Sequence, residues 1–114
     1  YSPAGRLMTG EPIENVVATL EAAGVDALGC NCGVGPEQLV ALLPRFAACA
    51  TKPLIMQPNA GLPEYRDGQT VYLVGPDAFA TEMLALAAGG VWALGGCCGT
   101  TPQHISRLAA IAAE

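Results

Sequence analysis

Three short apolar runs constrain this chain most. They are Val25-Asp26-Ala27-Leu28-Gly29-Cys30-Asn31-Cys32, Pro53-Leu54-Ile55-Met56-Gln57 and Val91-Trp92-Ala93-Leu94. Each ends in a turn built from glycine, asparagine or cysteine, and each is separated from the next by residues with helical periodicity. The runs are continuously apolar rather than alternating, which predicts strands covered on both faces, as in a parallel sheet. The helical segments supply the crossovers. The first recurs through Ile13, Val16, Val17, Leu20 and Ala23 and stops at Gly24. The second opens at Pro36, carries Leu39, Val40, Leu42 and Leu43 on one face, and meets Pro44, which is expected to kink or restart it. The third opens at Pro76 and runs through about Ala88. The last is capped by Thr101-Pro102 and continues through Ile105, Leu108 and Ile111.

The order α, β, α, β, α, β, α is that of right-handed βαβ units on a parallel sheet. Three strands cannot close a (β/α)8 barrel, which takes roughly 200 to 250 residues. The chain has no initiator Met and opens in what reads as a loop. It is therefore expected to be one part of a longer polypeptide, completed by other residues or chains, or to self-associate through its open sheet edges. The connection from Leu62 to Gly75 is long for a plain linker. It holds the turn Arg66-Asp67-Gly68 and a β-like run Thr70 to Val74, and reads as a functional lid or a mobile segment.

Charge and cysteine usage narrow the function classes. The net charge is -5 with only five Lys and Arg and no basic patch, which argues against a nucleic-acid partner. No apolar run reaches the ~18 residues of a membrane span, and the N-terminal residues lack signal-peptide regions, so a cytoplasmic location is expected. Five cysteines, two of them adjacent, fit reduced thiols or a metal site better than a disulfide framework. Neither Gly33-Val34-Gly35 nor Gly95-Gly96 continues into a phosphate loop or a dinucleotide fingerprint.

Parallel α/β folds gather ligands at the C-terminal ends of their strands. The residues with chemistry at those ends are Cys32, Asn59, Cys97 and Cys98. Three thiolates leave one position of a tetrahedral ion open, the pattern of a reactive zinc site rather than a closed structural one, with iron or copper(I) as alternatives. An open position would accept an incoming thiol and hold it deprotonated. Cys30 and Cys49 read as small core residues. His104, in the first turn of the last helix, reads as a surface or capping residue, Trp92 as strand packing, and Asp26 as solvated or a cap on the far face. A strained Cys97–Cys98 disulfide and a thiol redox role are weaker readings, since no Cys-x-x-Cys sits at a helix start.

The segments GCNCGVGPEQL (29–39), QPNAGLPE (57–64) and GGCCGTTPQHI (95–105), with AGRLMTGEPIE (4–14) before them, closely resemble the homocysteine S-methyltransferase family. Within it they resemble the homocysteine-binding domain of the cobalamin-dependent methionine synthases. The resemblance covers the whole chain and implies that residues 1–114 are the C-terminal segment of a (β/α)8 TIM barrel, about three parallel strands with their helices. It implies zinc held by Cys32, Cys97 and Cys98, and Asn59 at or beside the fourth zinc position; no ligand role passes to Cys30. The implied reaction is methyl transfer to the zinc-bound thiol of homocysteine, giving methionine. The implied donor is methylcobalamin, charged from methyltetrahydrofolate and presented by cobalamin- and folate-binding modules or chains; S-methylmethionine or betaine mark other branches. The groups that hold the amino and carboxylate ends of homocysteine would lie elsewhere, so the 114 residues alone are expected to be inactive.

Overall fold

A computed structural model describes residues 1–113. The elements are α1 (Ile13–Ala22), β1 (Leu28–Asn31), α2 (Pro36–Cys49), β2 (Leu54–Gln57), β3 (Pro63–Arg66), β4 (Gln69–Tyr72), α3 (Pro76–Ala88), β5 (Ala93–Leu94) and α4 (Pro102–Ala112). Three of the four helices start with a proline in their first turn, where its missing N–H costs nothing. Gln38 reaches back to the N–H of Gly35 at 3.0 Å and closes the start of α2. Pro44 does not restart α2: the helix runs through it unbroken. Pro44 lies on the exposed face, and the helix continues to Cys49 with Leu39, Leu42, Leu43 and Phe46 in one buried stripe.

The sheet is parallel, with β2 in the middle of the order β1-β2-β5. Leu28 pairs with Leu54, Asn31 with Gln57, and Met56 with Leu94, so the three strands end level on one side. One core holds it to the helices: Ile13 and Val17 of α1, the α2 stripe, Leu28, Leu54 and Met56 of the sheet, Phe79, Met83 and Leu86 of α3, and Leu108 of α4. Ile55, between buried Leu54 and Met56, stays half-buried, so this chain covers one face of the sheet more fully than the other. The expectation of strands buried on both faces is to that extent corrected.

One further expectation gains detail and another changes. The Leu62–Gly75 connection is an antiparallel hairpin, Pro63 pairing with Tyr72 and Arg66 with Gln69 around Asp67-Gly68. Trp92 does not pack within a strand: β5 is only two residues long, and Trp92 is 71% exposed just before it. Asp26 is exposed, as expected. No helix among the described residues is long and apolar enough to cross a membrane.

One half-buried acid gives a pH-dependent prediction. Glu82 on α3 has an oxygen shut away from solvent without a hydrogen-bond partner, and burial, then the charge of Glu37, pushes its pKa up. A folded-state pKa above the unfolded one opposes folding once pH rises through it, while below the unfolded value the penalty vanishes. Glu82→Gln should therefore melt at a higher temperature than the native chain at pH 7. The gain should disappear below about pH 4, where the unfolded carboxyl also protonates. Thermal melts across pH 3.5 to 8 would show it, and a gain constant across that range would contradict the burial argument.

Candidate metal centre

The site is built by the tail of the middle strand. Leaving β2, the segment Gln57-Pro58-Asn59-Ala60 runs between the ends of both outer strands and hydrogen-bonds to each. On the β1 side, Cys32 N–H donates to Gln57 C=O at 3.1 Å and Asn59 N–H to Val34 C=O at 2.9 Å. On the β5 side, Cys97 N–H donates to Pro58 C=O and Ala60 N–H to Cys98 C=O, each at 2.9 Å. The buried Asn59 side chain, 3% exposed, accepts the Cys98 N–H on Oδ1 at 2.9 Å. Every polar backbone group of the Cys97-Cys98 peptide therefore has a partner, because Cys97 C=O accepts from Thr100 N–H at 3.1 Å and from Thr100 Oγ1 at 2.6 Å. A dipeptide so fully tied holds its two side chains in fixed directions.

Those directions converge. The sulfurs of Cys32, Cys97 and Cys98 all lie within 4.8 Å of one another, with Cys32 Sγ 3.7 Å and Cys97 Sγ 4.0 Å from Cys98 Sγ. Zinc–sulfur bonds of about 2.3 Å in a tetrahedron place thiolates about 3.8 Å apart, so two of the three separations already match the edges such an ion requires and the third is at most 4.8 Å. The same separations are about twice a disulfide bond length of ~2.05 Å, and all five cysteines are free. The vicinal-disulfide reading is thereby set aside. Cys32 reaches its place through a left-handed backbone, φ 60°, uncommon for a residue with a side chain and a recurrent feature of functional sites.

The thiols differ in acidity. The Gly33 backbone N–H, then Cys98, lowers the pKa of Cys32, while Cys32, then Cys97, raises that of Cys98. The two shifts run in opposite directions because each thiol is a hydrogen-bond partner of the other. Outside the cluster, burial pushes Cys30 to about 11, and its sulfur lies 3.4 Å from Met56 Sδ against the core. Cys49 donates to the Arg45 carbonyl at 3.1 Å at the end of α2. Neither joins the three, as the sequence reading held.

Two neighbours of the cluster escaped that reading, and the place of a third residue, His104, was half seen. Asn31 presents Nδ2 at 3.8 Å from Cys97 Sγ. Tyr72, at the end of β4, lays its ring against Gly99, where any added Cβ would run into it. The backbone there has φ 80°, so a side chain at Gly99 would be both strained and obstructed. Burial first, and then Cys98, raises the Tyr72 hydroxyl pKa, with Cys32 and Cys97 adding smaller contributions. His104 is not a surface residue but 6% exposed, although its capping role holds: Nδ1 accepts from Thr101 N–H at 3.2 Å. The pattern Thr101-x-x-His104 signalled the cap; nothing local signalled the burial.

The fold recurs in solved structures. Homocysteine methyltransferase MmuM from Escherichia coli matches in its metallated form with TM-score 0.72 and 31% identity, over 95% of this chain and 32% of that one. Its apo form matches with TM-score 0.69 and 32% identity, over 94% and 35%. Among curated relatives, methionine synthase of Mycobacterium leprae (strain TN) is 37% identical over 111 residues, 96% of this chain and 9% of that protein. Methionine synthase of Mycobacterium tuberculosis (strain ATCC 25618 / H37Rv) is 36% identical over the same shares. The chain thus spans about a tenth of the length of these curated relatives and about a third of the solved structures.

The class these features define is an α/β segment of parallel strands alternating with helices, matching about a third of a solved homocysteine methyltransferase. More narrowly, the chain belongs to the homocysteine S-methyltransferase family, whose profile matches residues 2–112.

Proposed function

We propose that this chain carries the zinc centre of a methyl transfer to the thiol of homocysteine, with methionine as product. The observation that carries the reading is the convergence of three sulfurs from two strand ends within 4.8 Å of one another, with protein thiolates for only three of four positions. A zinc ion there would hold an incoming thiol deprotonated near neutral pH. The chain's own residues do the rest of the work in this segment. Cys32, Cys97 and Cys98 supply the donors, the Gln57–Ala60 tail fixes their directions, and Asn59 stands beside the fourth position with one lone pair of Oδ1 given to Cys98 N–H. Its second lone pair makes it the candidate occupant before substrate arrives.

Methylcobalamin, charged from methyltetrahydrofolate and brought by other modules or chains, is the donor this reading takes. The methionine synthase relatives at 36–37% identity support it. Residues 1–114 would then be the C-terminal segment of a homocysteine-binding barrel, with the groups for the amino and carboxylate ends of the substrate outside it. A cytoplasmic setting, where thiols stay reduced, suits three exposed or half-buried cysteines.

X-ray absorption at the zinc edge tests the proposal. The loaded protein should show three sulfur neighbours per zinc and one lighter atom, changing to four sulfurs when homocysteine is added. Three sulfurs unchanged at saturating homocysteine would mean a permanent fourth ligand and a structural metal, and would end the methyl-acceptor reading.

A further inference from the structure

A closed ring of hydrogen bonds leads from the donor turn out to the hairpin and back. Cys98 C=O accepts from Ala60 N–H at 2.9 Å, and Ala60 C=O accepts from Val74 N–H at 3.1 Å. Val74 C=O lies 2.8 Å from Nε2 of His104, and Nδ1 of His104 accepts from Thr101 N–H at 3.2 Å. Thr101 is three residues past Cys98, so the ring ends on the turn where it began. His104 is its only side-chain member. Because Nδ1 accepts a backbone N–H, the ring proton sits on Nε2, which donates to Val74. Burial and the edge contact with Phe79, ring centroids 5.4 Å apart, fix the imidazole in that orientation.

The ring also explains how the hairpin keeps its seat. β3 is exposed along its whole length, and the core gives the hairpin little anchorage. It is held instead at its exit, by Ala60 and His104 on the two sides of Val74. Two residues earlier, Tyr72 meets Gly99, the residue after the donor Cys98. Tyr72 is the last residue of β4 and only two positions before Val74, so the segment that Val74 anchors is the one that presents Tyr72.

We propose that His104 is a positioning residue of the metal centre: by holding Val74 it seats the β3–β4 hairpin on the Cys97–Thr100 turn and so backs the turn that carries the Cys98 thiol. The inference rests on the metal-centre reading above. It assigns His104 no contact with substrate or metal.

Two substitutions separate the halves of the imidazole. His104→Asn keeps an acceptor near the place of Nδ1 and loses the donor to Val74, whereas His104→Gln keeps a donor near the place of Nε2. Both are compared with the native protein loaded with cobalt(II), by the thiolate-to-cobalt absorption band and by the rate of metal loss to a chelator. The asparagine variant should lose metal about 10-fold faster or more, the scale for residues that support metal ligands, with a shifted band and faster exchange of the Val74 amide. The glutamine variant should stay near native. Tyr72→Ala, which leaves the cap intact, should reproduce the faster loss and serves should the asparagine variant not fold. Native band and release rate in folded His104→Asn or Tyr72→Ala would overturn the proposal, as would equal damage in the asparagine and glutamine variants. A native protein that takes up no metal would overturn the metal-centre reading itself, which distinguishes the two failures.

Discussion

Cys98→Ser should empty the metal centre. A serine hydroxyl is a harder donor than a thiol and stays protonated at neutral pH, so two thiolates would remain where three are set. Losing a residue that merely supports a ligand weakens metal binding about 10- to 100-fold; losing a ligand should exceed the upper end of that range. Metal analysis after dialysis against a chelator should fall from about one zinc per native chain to near none. Cys97→Ser should behave alike, because both sulfurs belong to the same cluster. Cys30→Ser and Cys49→Ser are the controls and should keep their zinc, since both thiols lie outside the cluster. Retention of one zinc per chain by both Cys97→Ser and Cys98→Ser would show that the adjacent thiols are not there for a metal.

Phe79→Ala should have the largest effect on stability. Phe79 is fully buried on α3 and meets His104 edge-on, so it joins the hydrophobic core to the floor beneath the donor turn. Truncating a buried phenylalanine costs about 3–5 kcal/mol, a large share of the ~5–15 kcal/mol that holds a typical domain together. Urea titration followed by circular dichroism should show the midpoint falling by that equivalent. A loss under about 1 kcal/mol would mean that the space refills and that Phe79 is not a keystone of the packing.

Much of this arrangement can be read from the sequence because its signals are local. Pro36, Pro76 and Pro102 mark helix starts, and apolar runs closed by Gly33, Pro58 and Gly95 mark strand ends. Once the strands are known to be parallel, Cys32, Asn59, Cys97 and Cys98 must share one side of the sheet. The hairpin was half visible: Thr70 to Val74 looks like a strand, but Pro63–Arg66 is exposed throughout and carries no apolar alternation to mark it. The burial of His104 depends on Phe79 and Val74, 25 and 30 residues away, which no local pattern encodes. Trp92 misleads for the opposite reason. An aromatic residue in an apolar run predicts packing, yet β5 begins only after it and its ring lies open.

The tail Gln57–Ala60 carries a lesson for tracing such sites in other sequences. Cys32 and Cys98 are 66 positions apart along the chain, yet the backbone of each is tied to this one short segment and their loops meet only through side chains. Added or deleted residues at the Asp67-Gly68 tip would alter that count without moving either thiol. A search for cysteines at a fixed interval would therefore miss distant cousins. One anchored on four residues after a middle strand, with a thiol ending the strand on either side, would tolerate any history of insertion between them.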